Sequence, residues 1–83
     1  MKVQVRYFAS LREALGERQA IDMPAGSTLG GLRDALAASS PRHAELLARG
    51  RAVRCAQGQR MCDEDTPLAE GAEVAFFPPV TGG

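Results

Sequence analysis

The chain has 83 residues, 45% of them hydrophobic and 24% charged, with ten basic residues balancing ten acidic ones. That length makes one domain that buries only about 60–65% of the surface its unfolded form exposes, which leaves no room for a deep substrate cleft. The balanced charge argues against nucleic acid and anionic membranes as partners; with no apolar run near the ~20 residues of a membrane span and no signal-like block at the start, a cytoplasmic location is expected.

Residues 2–8 alternate, with Val3, Val5 and Tyr7 on one face and Lys2, Gln4 and Arg6 on the other, the pattern of a half-buried strand. Ser10-Leu11-Arg12-Glu13 matches a capping box and predicts a short helix ended by Gly16. Residues 17–23 form a second alternating stretch, closed by Pro24-Ala25-Gly26, and are expected to pair with the first as a hairpin. Ser27 or Thr28 can cap the main helix, where Leu29, Leu32 and Leu36 recur at helical spacing before Ser39-Ser40-Pro41 ends it. Gly30 and Gly31 in its first turns each cost up to ~1 kcal/mol against alanine, which fits either close packing of the helix start or a frayed turn.

Residues 41–49 read as a short helix that opens on Pro41, buries Leu46 and Leu47 and stops at Gly50. Residues 51–56 and 59–62 are short strands around a Gln57-Gly58 turn, followed by the acidic loop 63–68 and a turn at Gly71. The last strand runs through Val74-Ala75-Phe76-Phe77. The order is that of an α+β, β-grasp (ubiquitin-like) domain, a mixed sheet with one main helix packed across it and the first and last strands parallel at its centre.

Cys55 and Cys62 have six residues between them, which fits neither a C-x-x-C redox motif nor a zinc ligand set, so both are read as reduced thiols. A persulfide on one of them is the alternative. His43 is the only histidine and is expected at the surface or at a helix cap. Arg6, Arg12 and Arg33 are expected as solvated charges, with pairing to partner carboxylates as the alternative.

The most informative segment is the end, Phe76-Phe77-Pro78-Pro79-Val80-Thr81-Gly82-Gly83. Two prolines without N–H groups stop the ladder and send the backbone out in a polyproline-like direction. Residues 80–83 then span about 13–14 Å if extended. Glycines without a Cβ can thread a channel too narrow for other residues. The expected organisation is a β-grasp body over residues 1–79 and a flexible tail over residues 80–83, presenting the Gly83 carboxylate as a substrate. Strand neighbours face opposite ways, so one of Phe76 and Phe77 fills the core while the other can join Val80 and Thr81 in a docking patch.

Three segments carry a family resemblance: Tyr7-Phe8-Ala9-x-Leu11-Arg12-Glu13-x-x-Gly16, the Thr66-Pro67-Leu68-x-x-Gly71 turn, and Glu73 through Gly83. Together they resemble the molybdopterin synthase small subunits, the ubiquitin-like MoaD/ThiS sulfur carriers, over the whole domain. Many members carry Val-Asn where this chain has Ala56-Gln57-Gly58-Gln59, and Gly-Asp where it has Gly71-Ala72.

The resemblance implies that the chain is not an enzyme on its own but the sulfur-donor subunit of a complex. Gly83 would be adenylated by a MoeB-like enzyme, which binds the ATP and magnesium, and converted to a thiocarboxylate by a sulfur donor. The tail, Val80, Thr81 and Gly82, would thread a MoaE-like large subunit, with Phe77, Pro78 and Pro79 meeting the partner. Sulfur would pass to cyclic pyranopterin monophosphate in molybdenum cofactor biosynthesis. No cofactor or metal is expected on this chain. The alternatives are a carrier for thiamine/thiazole or cysteine biosynthesis, a ubiquitin-like modifier, and a plain binding module.

Overall fold

The computed structural model describes residues 1–79, which form β1 (Lys2–Tyr7), α1 (Ala9–Leu15), β2 (Arg18–Asp22), α2 (Leu29–Ser39), α3 (Pro41–Leu47), β3 (Arg54–Gln57), β4 (Arg60–Cys62) and β5 (Glu73–Phe77). The strands make one mixed sheet in the order β2-β1-β5-β3-β4. β1 and β5 run parallel at its centre, with Val5 opposite Val74 and Tyr7 opposite Phe76, and the other pairs are antiparallel. This is the β-grasp expected from the sequence.

Period-two alternation delivers Val3, Val5, Tyr7, Val74 and Phe76 to one side of the sheet, where they meet Leu29, Leu32 and Leu36 of α2, Leu11 of α1 and Leu47 of α3. Tyr7, Val74 and Phe76 are at most 1% exposed, and each such side chain contributes roughly 1.5–3 kcal/mol through burial. The Tyr7 hydroxyl, at the margin of this core, donates to Gln19 Oε1 at 2.7 Å, and burial pushes its pKa well above the usual tyrosine range.

The start of α2 shows why Gly30 is a glycine. Three N–H groups that a helix leaves without internal partners are satisfied: Leu29 donates to Thr66 O and Gly30 to Glu64 O, both at 2.9 Å, and Gly31 to Thr28 Oγ1 at 3.1 Å. The acidic loop thus lies against the helix start. A Cβ on Gly30 would stand 2.5 Å from Arg49 Nη2 and 3.1 Å from Glu64 O, whereas one on Gly31 would meet only Thr28 Oγ1 at 3.6 Å. Close packing, rather than a frayed turn, accounts for Gly30; Thr28 is the cap, while Ser27 Oγ donates to Pro24 O.

Four expectations are corrected. The capping box does not form: Phe8 is the N-cap of α1, Ser10 lies inside the helix, and the Phe8 carbonyl accepts from both Leu11 and Arg12 N–H. The reversal from β1 is made by Ala9, whose φ of +51° is in the left-handed region, so the helix begins one residue before Ser10 could cap it. α3 ends at Leu47 with Ala48 as cap, ahead of Gly50. The β3–β4 turn is centred on Gly58 and Gln59, both with positive φ, as in a two-residue type I′ hairpin.

The fourth correction is Arg33, which is 5% exposed rather than solvated. Its Nε donates to Leu47 O at 2.7 Å, Nη2 to Ala48 O and Arg51 O at 2.7 Å each, and Nη1 to Glu64 Oε2 at 2.9 Å. A planar fork with five donors suits the cluster of carbonyls left at the end of α3. Beside it, Arg49 holds Asp34 through Nε and Nη2 at 2.7 and 3.1 Å, and this hydrogen-bonded cation lowers the Asp34 pKa.

Candidate functional site: the end of β5 and the outer sheet face

β5 ends at Phe77, and the chain continues through Pro78 and Pro79, the last described residues. Phe8 N–H donates to Phe76 O at 3.2 Å, tying the end of β1 to the end of β5 immediately before the prolines. On the other side Phe77 pairs with Arg54 of β3. The exit is therefore anchored by strands on both flanks, at the most enclosed position a strand of this sheet can have. Pro78 and Pro79 also form one wall of a cleft of about 350 Å³ with Ser10, Leu11, Leu46 and Val53.

Phe76 is fully buried and Phe77 half-buried on the opposite face, so the alternation places Phe77 outward. There it stacks on Phe8, with centroids 4.8 Å apart and planes 14° from parallel. The Arg6 guanidinium carbon lies 5.0 Å from the Phe8 ring centroid and reaches Glu73 at 3.7 Å, while Arg18 approaches Glu73 at 3.9 Å. Such ion pairs are long and solvated, worth well under 1 kcal/mol, so the aromatic contacts dominate the shape of this patch.

Across the sheet Ala75 pairs with Ala56 and Ala56 with Met61, which is 54% exposed. Phe8, Phe77, Ala75, Ala56 and Met61, with Arg6 at one side, line an open concavity of about 560 Å³. A contiguous apolar surface beside a charged rim is the composition of a protein-docking face.

Of the residues expected to meet a partner, Phe77 thus lies on this face, while Pro78 and Pro79 line the separate cleft beside Leu11 and Leu46. Val80, Thr81, Gly82 and Gly83 lie outside the described residues. Sequence reasoning missed Phe8 and Met61, although Phe8 continues the solvent-facing series Lys2, Gln4, Arg6 and is an aromatic where a polar residue belongs. Val5 and Val74 are buried behind the face.

His43 takes part in a structural chain: Gln19 Oε1 accepts from Tyr7 and lies 3.0 Å from His43 Nε2, while Ser40 Oγ sits 2.7 Å from Nδ1 and accepts from the His43 backbone N–H. Cys55 and Cys62 are free thiols. Among the described residues no group of three or more His, Cys, Asp or Glu side chains is arranged to hold a metal ion, and no helix is long and apolar enough to cross a membrane.

Comparison with known proteins adds three kinds of finding. Residues 5–83 match the model of the ThiS family. The chain is 43% identical to the molybdopterin synthase sulfur carrier subunit of Escherichia coli over 98% of this chain and 99% of that protein. Among solved structures it is similar to SAMP1 from Haloferax volcanii (TM-score 0.83, 25% identity, 100% of both chains). It is also similar to a chain of the Helicobacter pylori complex of molybdopterin-converting factor subunits 1 and 2 (TM-score 0.69, 28% identity, 100% of both chains).

Proposed function

The chain belongs to the ThiS family, and on that premise we propose that it is a sulfur carrier, the small subunit of molybdopterin synthase, with the Gly83 carboxylate as its working group. The observation that carries this reading is the match along the full length to a relative of that name, together with a rigid, aromatic-flanked exit for the segment that ends in Gly-Gly.

The chemistry proceeds in three steps. A carboxylate oxygen of Gly83 attacks the α-phosphorus of ATP, pyrophosphate leaves, and an acyl-adenylate forms on a MoeB-like partner that supplies the ATP and magnesium sites. Sulfide delivered by the sulfur donor as HS− then attacks the carbonyl carbon, AMP departs and the S–H proton is lost, leaving a thiocarboxylate. Activation is required because a free carboxylate is a poor acyl electrophile and AMP is a good leaving group.

In the third step a MoaE-like large subunit receives the tail, and the thiocarboxylate gives its sulfur to cyclic pyranopterin monophosphate. The relative in the Helicobacter complex is described with a second subunit, which supports such a partner. The body contributes no acid, base or nucleophile to these steps. Its work is to hold the outer face against a partner while residues 80–83 reach the chemistry, and the anchoring of β5 by β1 and β3 suits that task.

A second reading is favoured by the likeness to SAMP1: a ubiquitin-like modifier joined to lysines. Incubation with a MoeB-like enzyme, ATP, magnesium and a sulfur donor separates the two. A carrier gains the mass difference between sulfur and oxygen at Gly83; a modifier gives isopeptide-linked adducts on other proteins. Formation of neither product would overturn both readings.

A further inference from the structure

We propose that Cys55 and Cys62 form a redox-active dithiol, a modification site on the core side of the β3–β4 hairpin that closes into an intramolecular disulfide. The two residues are direct partners in the antiparallel register, one in each strand. Opposed residues in such a pair have Cα atoms about 4.5–5.5 Å apart and side chains on the same face. That separation lies inside the roughly 4.4–6.8 Å usual for disulfides, and closure requires the Cβ atoms to draw in to about 3.5–4.5 Å from the roughly 4.5–5.5 Å of an open pair.

The register is held by the turn. Gly58 and Gln59, with φ of +57° and +69°, form the tight two-residue connection whose twist matches the strands, so the cysteines cannot slip past one another. The thiols themselves are weakly held: Cys55 Sγ donates to Cys62 O at 3.5 Å and Cys62 Sγ to Arg60 O at 3.2 Å. Sulfur is a poor donor, so rotating either side chain gives up little. The Cys55 sulfur already points at residue 62.

The two sites differ in access, which sets the order of events. Both cysteines line an open concavity of about 400 Å³ with Val53, Asp63 and Glu64, but Cys62 is half-buried there while Cys55 is only 6% exposed and packs against the core. A small peroxide therefore reaches Cys62 first. The Cys62 thiolate attacks one peroxide oxygen, the O–O bond breaks, and sulfenic acid and water result once the leaving hydroxide takes a proton. The Cys55 sulfur then attacks the Cys62 sulfur, loses its proton, and expels the hydroxyl as a second water. Two thiols are oxidised by two electrons and one hydrogen peroxide is reduced to two waters. Burial pushes the Cys55 thiol up, which lowers the share of thiolate available for the second step.

The bond would tie β4, the edge strand that carries Met61, to β3. The test is to expose the full chain, dilute and native, to hydrogen peroxide and follow it by intact mass and thiol alkylation. The expected product is a monomer lighter by two hydrogens, with both cysteines protected from alkylation and released by dithiothreitol. Trypsin cutting at Arg60 should leave the Cys55 and Cys62 peptides joined. Cys55→Ser should instead accumulate sulfenic or sulfinic acid at Cys62. Oxidation that yields only disulfide-linked dimers, or only overoxidised Cys62 in the unmutated chain, would overturn the proposal.

Discussion

Phe8 and Phe77 stack face to face at 4.8 Å across the ends of β1 and β5, although they are far apart in the chain. Phe76, one residue before Phe77, is fully buried on the other side. Adjacent phenylalanines thus serve opposite faces of the sheet, and the proposed docking role falls to Phe77. Phe76→Ala should cost about 3–5 kcal/mol of stability, a large fraction of what a small domain has. Phe77→Ala should cost about 1 kcal/mol, the loss of a half-exposed stack, yet weaken binding to the large subunit at least tenfold, or about 1.4 kcal/mol. Met61→Ala should behave like Phe77→Ala. Urea unfolding and titration calorimetry with the large subunit separate the two effects.

Arg33→Met should be the most damaging polar substitution. It removes donors from Leu47, Ala48 and Arg51 carbonyls and the close partner of Glu64, so a loss of about 3 kcal/mol is expected. Arg33→Lys should recover only part of it, because an ammonium cannot reproduce the planar fork. Equilibrium unfolding in urea measures both.

The paired glycines of α2 should respond in opposite directions. Gly31→Ala meets only ordinary contact and should stabilise by about 0.5–1 kcal/mol through helix propensity. Gly30→Ala pushes a methyl against the Glu64 carbonyl and displaces Arg49, and should destabilise by about 1 kcal/mol. Thermal melts of the two variants, compared at one pH and salt, give the sign of each.

Tyr7, the only tyrosine, should make stability fall on the alkaline side. Its folded pKa is raised by burial, so the folded chain keeps the phenol proton when the unfolded chain has lost it. The unfolded state then binds fewer protons. Stability is unaffected below the ordinary tyrosine pKa near 10 and declines above it by up to about 1.4 kcal/mol per pH unit from this group. Tyr7→Phe should remove that slope, and phenolate absorbance in the native protein should appear only as the chain unfolds.

Much of this was legible in the sequence because single-period patterns dominate it. The alternation of Val3, Val5 and Tyr7 and the spacing of Leu29, Leu32 and Leu36 marked the core, and Phe76-Phe77-Pro78-Pro79 marked both the last strand and its end. Arg33 departs from the solvated expectation because its position, not its charge, decides its burial. It stands four residues after Leu29 and three before Leu36, within the apolar stripe, and only the carbonyls of the α3–β3 connection make it affordable there. Ser10 was misjudged because the left-handed turn at Ala9 is set by tertiary geometry between β1 and α1, which local propensity does not encode. Phe8 and Met61 come together only through sheet order, so no local pattern joins them.

The central claim is that sulfur travels on Gly83 while the β-grasp body only presents it. The direct test compares the full chain with a chain lacking Gly83 in a reconstituted assay with activating enzyme, ATP, magnesium, sulfur donor, large subunit and cyclic pyranopterin monophosphate. The account predicts identical thermal unfolding for the two, a thiocarboxylate by intact mass on the full chain alone, and molybdopterin formation only with it. Molybdopterin formed at an undiminished rate by the truncated chain would contradict it.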